Sequence, residues 1–184
     1  MSGSDLCFSE ITNDVKKMGV KTIIGKHKAK NVPKDTGLVI YSPAVKNNNL
    51  ELKEAKKRKI KTQSYPKALG ELTKNHFTIA VTGTHGKSTT TAMIGLILTK
   101  AGLNPTVIVG TKIKQLGDSN FRMGKEILVM EACEHEESFL NYWPEIEIIT
   151  NIEADHLDYY KTLKNVIRGF KRFTNHLPKD GILI

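Results

Sequence analysis

Only two cysteines, Cys7 and Cys133, stand in the 184 residues, too few for the disulfide framework on which small secreted domains rely. No apolar run approaches the roughly 20 residues of a membrane span. Residues 1–5 carry neither the basic nor the apolar segment of a secretory signal. These absences point to a cytoplasmic protein with reduced thiols and no membrane partner. No internal repeat is present, and the one biased tract, Asn47-Asn48-Asn49, reads as a turn. The length suits one large domain or two small ones.

Acidic residues are scarce only in the first part of the chain. Up to residue 74, sixteen Lys and Arg face seven Asp and Glu. From residue 75 the count is twelve against twelve, so the whole formal excess of +9 lies in the first part. Its densest run, residues 53–59, has helical spacing and no interleaved aromatics, which favours a solvated helix face over a nucleic-acid patch. No nucleic-acid partner is expected, and a lesser effect of the charge would be to attract an anionic substrate.

The break near residue 74 is also architectural. Residues 21–24, 37–41 and 60–63 read as short strands alternating with helices over 9–18, closed by Gly19, and over 49–58. Beyond it, strands over 77–81, 106–109, 127–130 and 146–150 are separated by helices over 87–101 and 163–176, the first stopped by Gly102 and Pro105. This alternation predicts an α/β fold with parallel sheets covered by helices, in two domains over 1–74 and 75–184. Residues 2–5 suit the end of a strand that has no beginning, and residues 181–184 begin a strand that stops. A fragment of a longer protein is expected.

The most informative stretch is Gly83-Thr84-His85-Gly86-Lys87-Ser88-Thr89. Apolar Phe77-Thr78-Ile79-Ala80-Val81 precedes it, and Thr90-Thr91-Ala92-Met93-Ile94-Gly95-Leu96-Ile97-Leu98 follows. Strand, glycine loop and helix in that order make a cradle for a nucleoside triphosphate. The glycines allow backbone amides to face one phosphate, and the helix adds the positive end of its dipole. Lys87 brings a full charge to the outer phosphates, and the Ser88 hydroxyl is placed to ligate Mg2+. Two residues separate these glycines, where the general GxxxxGK[ST] pattern has four.

Two later strands end in polar clusters, Glu131-Ala132-Cys133-Glu134-His135-Glu136-Glu137 and Asn151-Ile152-Glu153-Ala154-Asp155-His156. Ligands of an open parallel sheet sit beyond the carboxyl ends of its strands, so both clusters should meet the phosphate loop. Glu131 and His156 are the candidate metal contacts. Cys133 and His135 lack a second pair at ligand spacing, which argues against zinc.

In this order, GTHGKSTTTAM, EACEHEESFL and TNIEADHLDYY resemble the Mur ligase family, over nearly the whole chain. Ser2-Gly3-Ser4-Asp5 and Tyr41-Ser42-Pro43-Ala44-Val45 are similar to strand ends of that family's first domain. Many members read EADESD in the acidic motif, from which Cys133 and His135 depart.

The resemblance implies a partial Rossmann-like domain for a UDP-sugar over 1–74, without its first strand and glycine turn. Over 75–184 it implies the N-terminal part of a P-loop ATPase-like central domain, and it leaves the third family domain outside this chain. The implied chemistry is phosphorylation of the UDP-N-acetylmuramate carboxylate by ATP, then displacement of phosphate by the amine of L-alanine. Gly83, Thr84, His85, Gly86, Lys87, Ser88 and Thr89 would bind the nucleotide, with His85 facing the acyl phosphate. Ser88 and Glu131 would hold Mg2+, His156 would hold a second ion, and Glu134, Asn151 and Asp155 would stand behind them. Other readings are a relative loading a different acceptor, such as the murein tripeptide ligase or a folylpolyglutamate synthase-like enzyme, and a non-catalytic nucleotide-binding remnant.

Overall fold

In the computed structural model, which describes residues 1–184, the first helix starts where Ser9 and Thr12 cap one another. The Thr12 amide donates to Ser9 Oγ at 3.2 Å, and the Ser9 amide donates to Thr12 Oγ1 at 2.9 Å. This helix, α1 (Glu10–Lys17), joins β1 (Ser2–Asp5) to β2 (Lys21–Ile24), which pair in parallel with Ser2 opposite Lys21. The pattern recurs in β3 (Leu38–Tyr41), α2 (Leu50–Lys57) and β4 (Lys61–Ser64), with Leu38 opposite Lys61. Asn49 caps α2 by accepting from the Glu51 and Leu52 amides.

Glu51 collects Ser4 Oγ at 2.5 Å, Asn31 Nδ2 at 2.7 Å and His27 Nδ1 at 3.2 Å. Burial alone would raise this carboxyl, but those three partners outweigh it and hold it below its usual range. The basic run is only partly the solvated face expected of it. Lys53, Lys56, Lys57 and Lys59 are exposed, whereas Arg58 donates to the carbonyls of Val32, Pro33 and Lys34 at 3.1, 2.8 and 2.8 Å.

The chain forms two compact units, Met1–Tyr65 and Pro66–Ile184. The charge break at 74 lies nine residues beyond that division, because α3 (Tyr65–Thr73) gives Leu69 to the core of the second unit. This helix was not among those expected from the sequence. Pro66 falls in the first turn, where no amide is needed. At Gly70 a Cβ would lie 2.2 Å from the carbonyl oxygen of Asn141, so glycine lets another backbone pass close by.

Beyond α3 come β5 (Phe77–Thr82), α4 (Lys87–Lys100), β6 (Thr106–Ile113), β7 (Ser119–Arg122) and β8 (Ile127–Glu131). A 3-10 segment, His135–Asn141, follows, then β9 (Ile146–Ile149), α5 (Leu157–Tyr160), α6 (Leu163–Thr174) and β10 (Ile182–Leu183). These strands make one six-stranded sheet in the order β10-β9-β5-β8-β6-β7. All neighbours run parallel except β6 and β7. The hairpin of β6 with β7 extends β6 past residue 109 and was not expected, because Ser119-Asn120-Phe121-Arg122 has no buried side chain.

β5 lies between β8 and β9, and its residues 78–82 are all buried, as a central parallel strand requires. Against the sheet pack Phe139, Phe170 and Phe173, each almost fully buried. Phe139 stacks on Phe173 at 4.7 Å and meets Phe170 edge-on at 5.4 Å. Burial of each ring contributes roughly 2–3 kcal/mol. No helix is long and apolar enough to cross a membrane.

Candidate nucleotide and metal site

The ends of β5, β8 and β9 lie side by side, which brings residues far apart in sequence to one edge of the sheet. At the end of β5 the loop turns through Gly83 (φ +132°) and Gly86 (φ +81°), and α4 begins at Lys87. Its first backbone bond is Thr90 N–H to Gly86 O, so the amides of Lys87, Ser88 and Thr89 have no intrahelical acceptor. These amides and the helix dipole favour an anion.

The Thr84 and His85 amides, by contrast, are already engaged. They donate to the backbone oxygen and Oδ1 of Asn151, both at 3.0 Å. Asn151 Nδ2 and Thr150 Oγ1 in turn donate to His85 O at 3.0 and 2.6 Å, and the Glu153 amide donates to Thr84 Oγ1 at 2.9 Å. The end of β9 therefore holds the loop in shape. Two of the seven amides expected to cradle phosphate, those of Thr84 and His85, serve that purpose instead.

A Cβ at Gly83 would stand 2.1 Å from Thr150 Oγ1 and 2.9 Å from Asn151 O, on a backbone that side chains rarely adopt. Gly83→Ala should therefore lower stability by about 1–3 kcal/mol. Chemical denaturation of the two proteins measures it; equal midpoints would show that the loop is not fixed from β9.

Ser88 Oγ donates to Glu131 Oε2 at 2.8 Å, and the Gly110 amide donates to the same oxygen at 2.8 Å. A hydroxyl and a carboxylate converging in this way form an oxygen donor set that suits Mg2+. Thr84, His85, Gly86, Lys87, Ser88, Thr89 and Glu131 line a cleft of about 340 Å3.

Lys87, which also lines that cleft, carries its ammonium to Glu134. Its Nζ lies 3.1 and 3.0 Å from the two carboxylate oxygens, 2.5 Å from Gly83 O and 3.1 Å from Thr84 O. Glu134 is 2% exposed and the Lys87 side chain 13%, so this is a buried ion pair. The Tyr160 hydroxyl, pushed up by burial, donates to Glu134 O at 2.6 Å and fixes the segment. Sequence reasoning set Glu134 behind the metal ligands and did not foresee that it takes the lysine.

The structure does not bring His156 to Ser88 and Glu131. Its Nε2 lies 3.6 Å from Glu134 Oε1 and 3.9 Å from Asp155 Oδ2, and its ring packs on His135 with centroids 4.5 Å apart. The His156 amide donates to Asp155 Oδ1 at 2.7 Å and holds that carboxyl below its usual range. His85 points outward, with Nε2 3.8 Å from Glu153 Oε2 and both side chains mostly exposed.

Two family models match the chain. The Mur ligase middle domain covers residues 81–184, and the model described as the Mur ligase family catalytic domain covers residues 1–77. The chain belongs to the Mur ligase family. Among curated Mur ligases, it is 43% identical over its full length to UDP-N-acetylmuramate–L-alanine ligases of Clostridium botulinum and Acetivibrio thermocellus, of which it spans 40% and 39%. Among solved structures, it matches the UDP-N-acetylmuramate-alanine ligase MurC of Thermotoga maritima with a TM-score of 0.83 at 32% identity. That match covers 98% of this chain and 42% of the other. A ligase from Neisseria meningitides, named for UDP-N-acetylmuramate and L-alanyl-gamma-D-glutamyl-meso-diaminopimelate, has a TM-score of 0.87 at 22% identity. It is covered over 62% of its length and 99% of this chain, and that likeness shows the fold.

Proposed function

We propose that this chain carries the ATP-activating site of an enzyme that joins L-alanine to UDP-N-acetylmuramate in peptidoglycan precursor synthesis in the cytoplasm, and so serves cell-wall growth and division. One observation carries the reading: Lys87, Ser88 and Glu131 converge at one sheet edge in a chain 43% identical to ligases of that name. In this reading residues 1–74 belong to the part that recognises the UDP-sugar and residues 75–184 to the part that binds ATP.

The reaction balances in two steps. An oxygen of the muramoyl carboxylate attacks the γ-phosphorus of ATP, the bond to the bridging oxygen breaks, and ADP leaves. The amine of L-alanine then attacks the carbonyl carbon, inorganic phosphate leaves, and the amine loses a proton as the amide forms. The free amides of residues 87–89 hold the phosphates, and Lys87 compensates charge on the transferring group once it leaves Glu134, so positioning and electrostatics do most of the catalysis. Mg2+, held by Ser88 and Glu131, would neutralise phosphate charge when bound. His85 stands at the cleft mouth, where the acyl phosphate would form, and His156 is the candidate for a second ion.

Nucleotide binding is tested on this chain by calorimetry. Ser88→Ala should weaken ATP binding about tenfold or more with Mg2+ present and leave it unchanged in excess chelator, as expected when a direct metal ligand is lost. An equal loss in both conditions would remove Ser88 from the metal. Specificity is tested by placing residues 1–184 in the matching segment of the Acetivibrio thermocellus ligase. Phosphate release should then require ATP, UDP-N-acetylmuramate and L-alanine together; release that does not depend on UDP-N-acetylmuramate would redirect the assignment.

A further inference from the structure

The two polar segments that flank Glu134 bring together more than the proposed magnesium set. His135 opens the 3-10 segment, and His156 and Asp158 stand at the start of α5. One donor atom from each of the three lies within 4.8 Å of the others. Neither Cys133 nor any residue at a regular ligand spacing takes part, so the sequence argument against zinc missed this set: tertiary packing, not a Cys-x-His repeat, supplies the partners of His135.

The scaffold beneath is packed. Phe139, fully buried, anchors the first segment, and Tyr160, 4% exposed, anchors the second. The Tyr160 hydroxyl ties the two by its bond to Glu134 O. The two imidazole rings lie against one another, tilted by 39°, within a ring of carboxylates from Glu134, Asp155 and Asp158. Around a tetrahedral ion with nitrogen ligands at about 2.0–2.1 Å, donors stand about 3.3 Å apart. The donors, within 4.8 Å of one another, stand up to about 1.5 Å wider than that.

We propose that His135, His156 and Asp158 form a binding site for a borderline transition-metal ion of the Zn2+, Co2+ or Ni2+ kind. Two imidazoles and one carboxylate suit such ions, whereas Mg2+ prefers an all-oxygen shell and holds its waters. The site shares no ligand with the Ser88–Glu131 pair and requires no nucleotide, but it takes His156, the candidate for the second ion of the ATP site, so the two ions compete for that imidazole. Carboxylates beside His156 orient the ring, as partners of metal-bound imidazoles commonly do. Because His156 also faces Glu134, the partner of Lys87, an ion bound here borrows a residue from the edge of the phosphate site.

The test uses untagged protein without nucleotide and Co2+ as the probe. One equivalent should bind with the intense visible absorption of a four-coordinate ion and be displaced by Zn2+ but not by a large excess of Mg2+. His135→Asn should weaken Co2+ binding by about 100-fold or more, beyond the loss that outer partners of a metal site alone produce. Asp158→Asn, on an exposed side chain, should weaken it too, and supplies the answer if His135→Asn fails to fold. Ser88→Ala and His76→Asn should leave both spectrum and affinity unchanged. Retention of the spectrum in both the His135 and Asp158 variants would overturn the proposal, as would its loss in Ser88→Ala or a weak six-coordinate spectrum in the parent protein.

Discussion

Replacing Lys87 by methionine should destabilise the protein by about 3–5 kcal/mol, the cost of leaving a buried carboxylate without its counter-charge. Glu134 is 2% exposed, and Lys87 is the cation that meets both its oxygens, at 3.1 and 3.0 Å. Methionine keeps the length and apolar stem of lysine, so the change removes charge rather than volume. Glu134→Gln added to Lys87→Met removes the orphaned charge as well, and the double variant should recover most of the loss. Denaturant titration of the parent, Lys87→Met, Glu134→Gln and the double variant gives the coupling between the pair. A Lys87→Met protein within about 1 kcal/mol of the parent, which is the range of exposed pairs, would show that the pair is solvated. A double variant no more stable than the single one would show that the cost lies elsewhere. Both variants should lose ATP binding, because the recovered stability does not restore the ammonium. Separate recovery of the two properties distinguishes Lys87 as a support of the fold from Lys87 as a phosphate ligand.

The pair also bears on how the site engages its nucleotide. In the free protein all three ammonium donors of Lys87 are spent on Glu134 and on the carbonyls of Gly83 and Thr84. A phosphate must compete with a neighbouring carboxylate for this lysine, while the amides of residues 87–89 and the Ser88–Glu131 pair stand ready.

Much of this was legible because it is local. The run from Phe77 to Leu98 reads as strand, loop and helix from burial period and glycine position alone, and β5 and α4 lie where those signals put them. The contacts that complete the site were not legible because they span the chain. Lys87 meets Glu134 across 47 residues, and His85 meets Asn151 across 66. Which strand ends are neighbours depends on the order β9-β5-β8, and chain order does not state it. The same physics hid α3: Gly70 lowers helix propensity, and its reason for being there is the backbone of Asn141, more than 70 residues later. His135 illustrates the converse, since the ring it packs on, His156, comes from the turn into α5 and not from its own segment.

Glu147 carries the second large effect. It sits on β9, between β10 and β5, is fully buried and has one partner, Thr174 Oγ1 at 3.2 Å from Oε1; Oε2 has none. Burial pushes its carboxyl up to about 7. The unfolded chain ionises this group near the ordinary glutamate value, so between that value and about 7 the folded state holds a proton that the unfolded state has released. More protons bound in the folded state means that stability falls as pH rises through this window. Below it both states are protonated and the cost vanishes; above it both are ionised and the cost is complete, at about 3 kcal/mol. Glu147→Gln keeps the shape and an acceptor for Thr174 but cannot ionise. The variant should differ from the parent near pH 4.5 only by the cost of its own buried amide, gain on it steadily toward pH 7, and have gained up to about 3 kcal/mol by pH 8. Thermal or denaturant unfolding at a series of pH values reads the difference. A difference independent of pH would mean that Glu147 does not titrate in this range, and a variant less stable than the parent at pH 8 would mean that the ionised carboxylate has a partner that stabilises it.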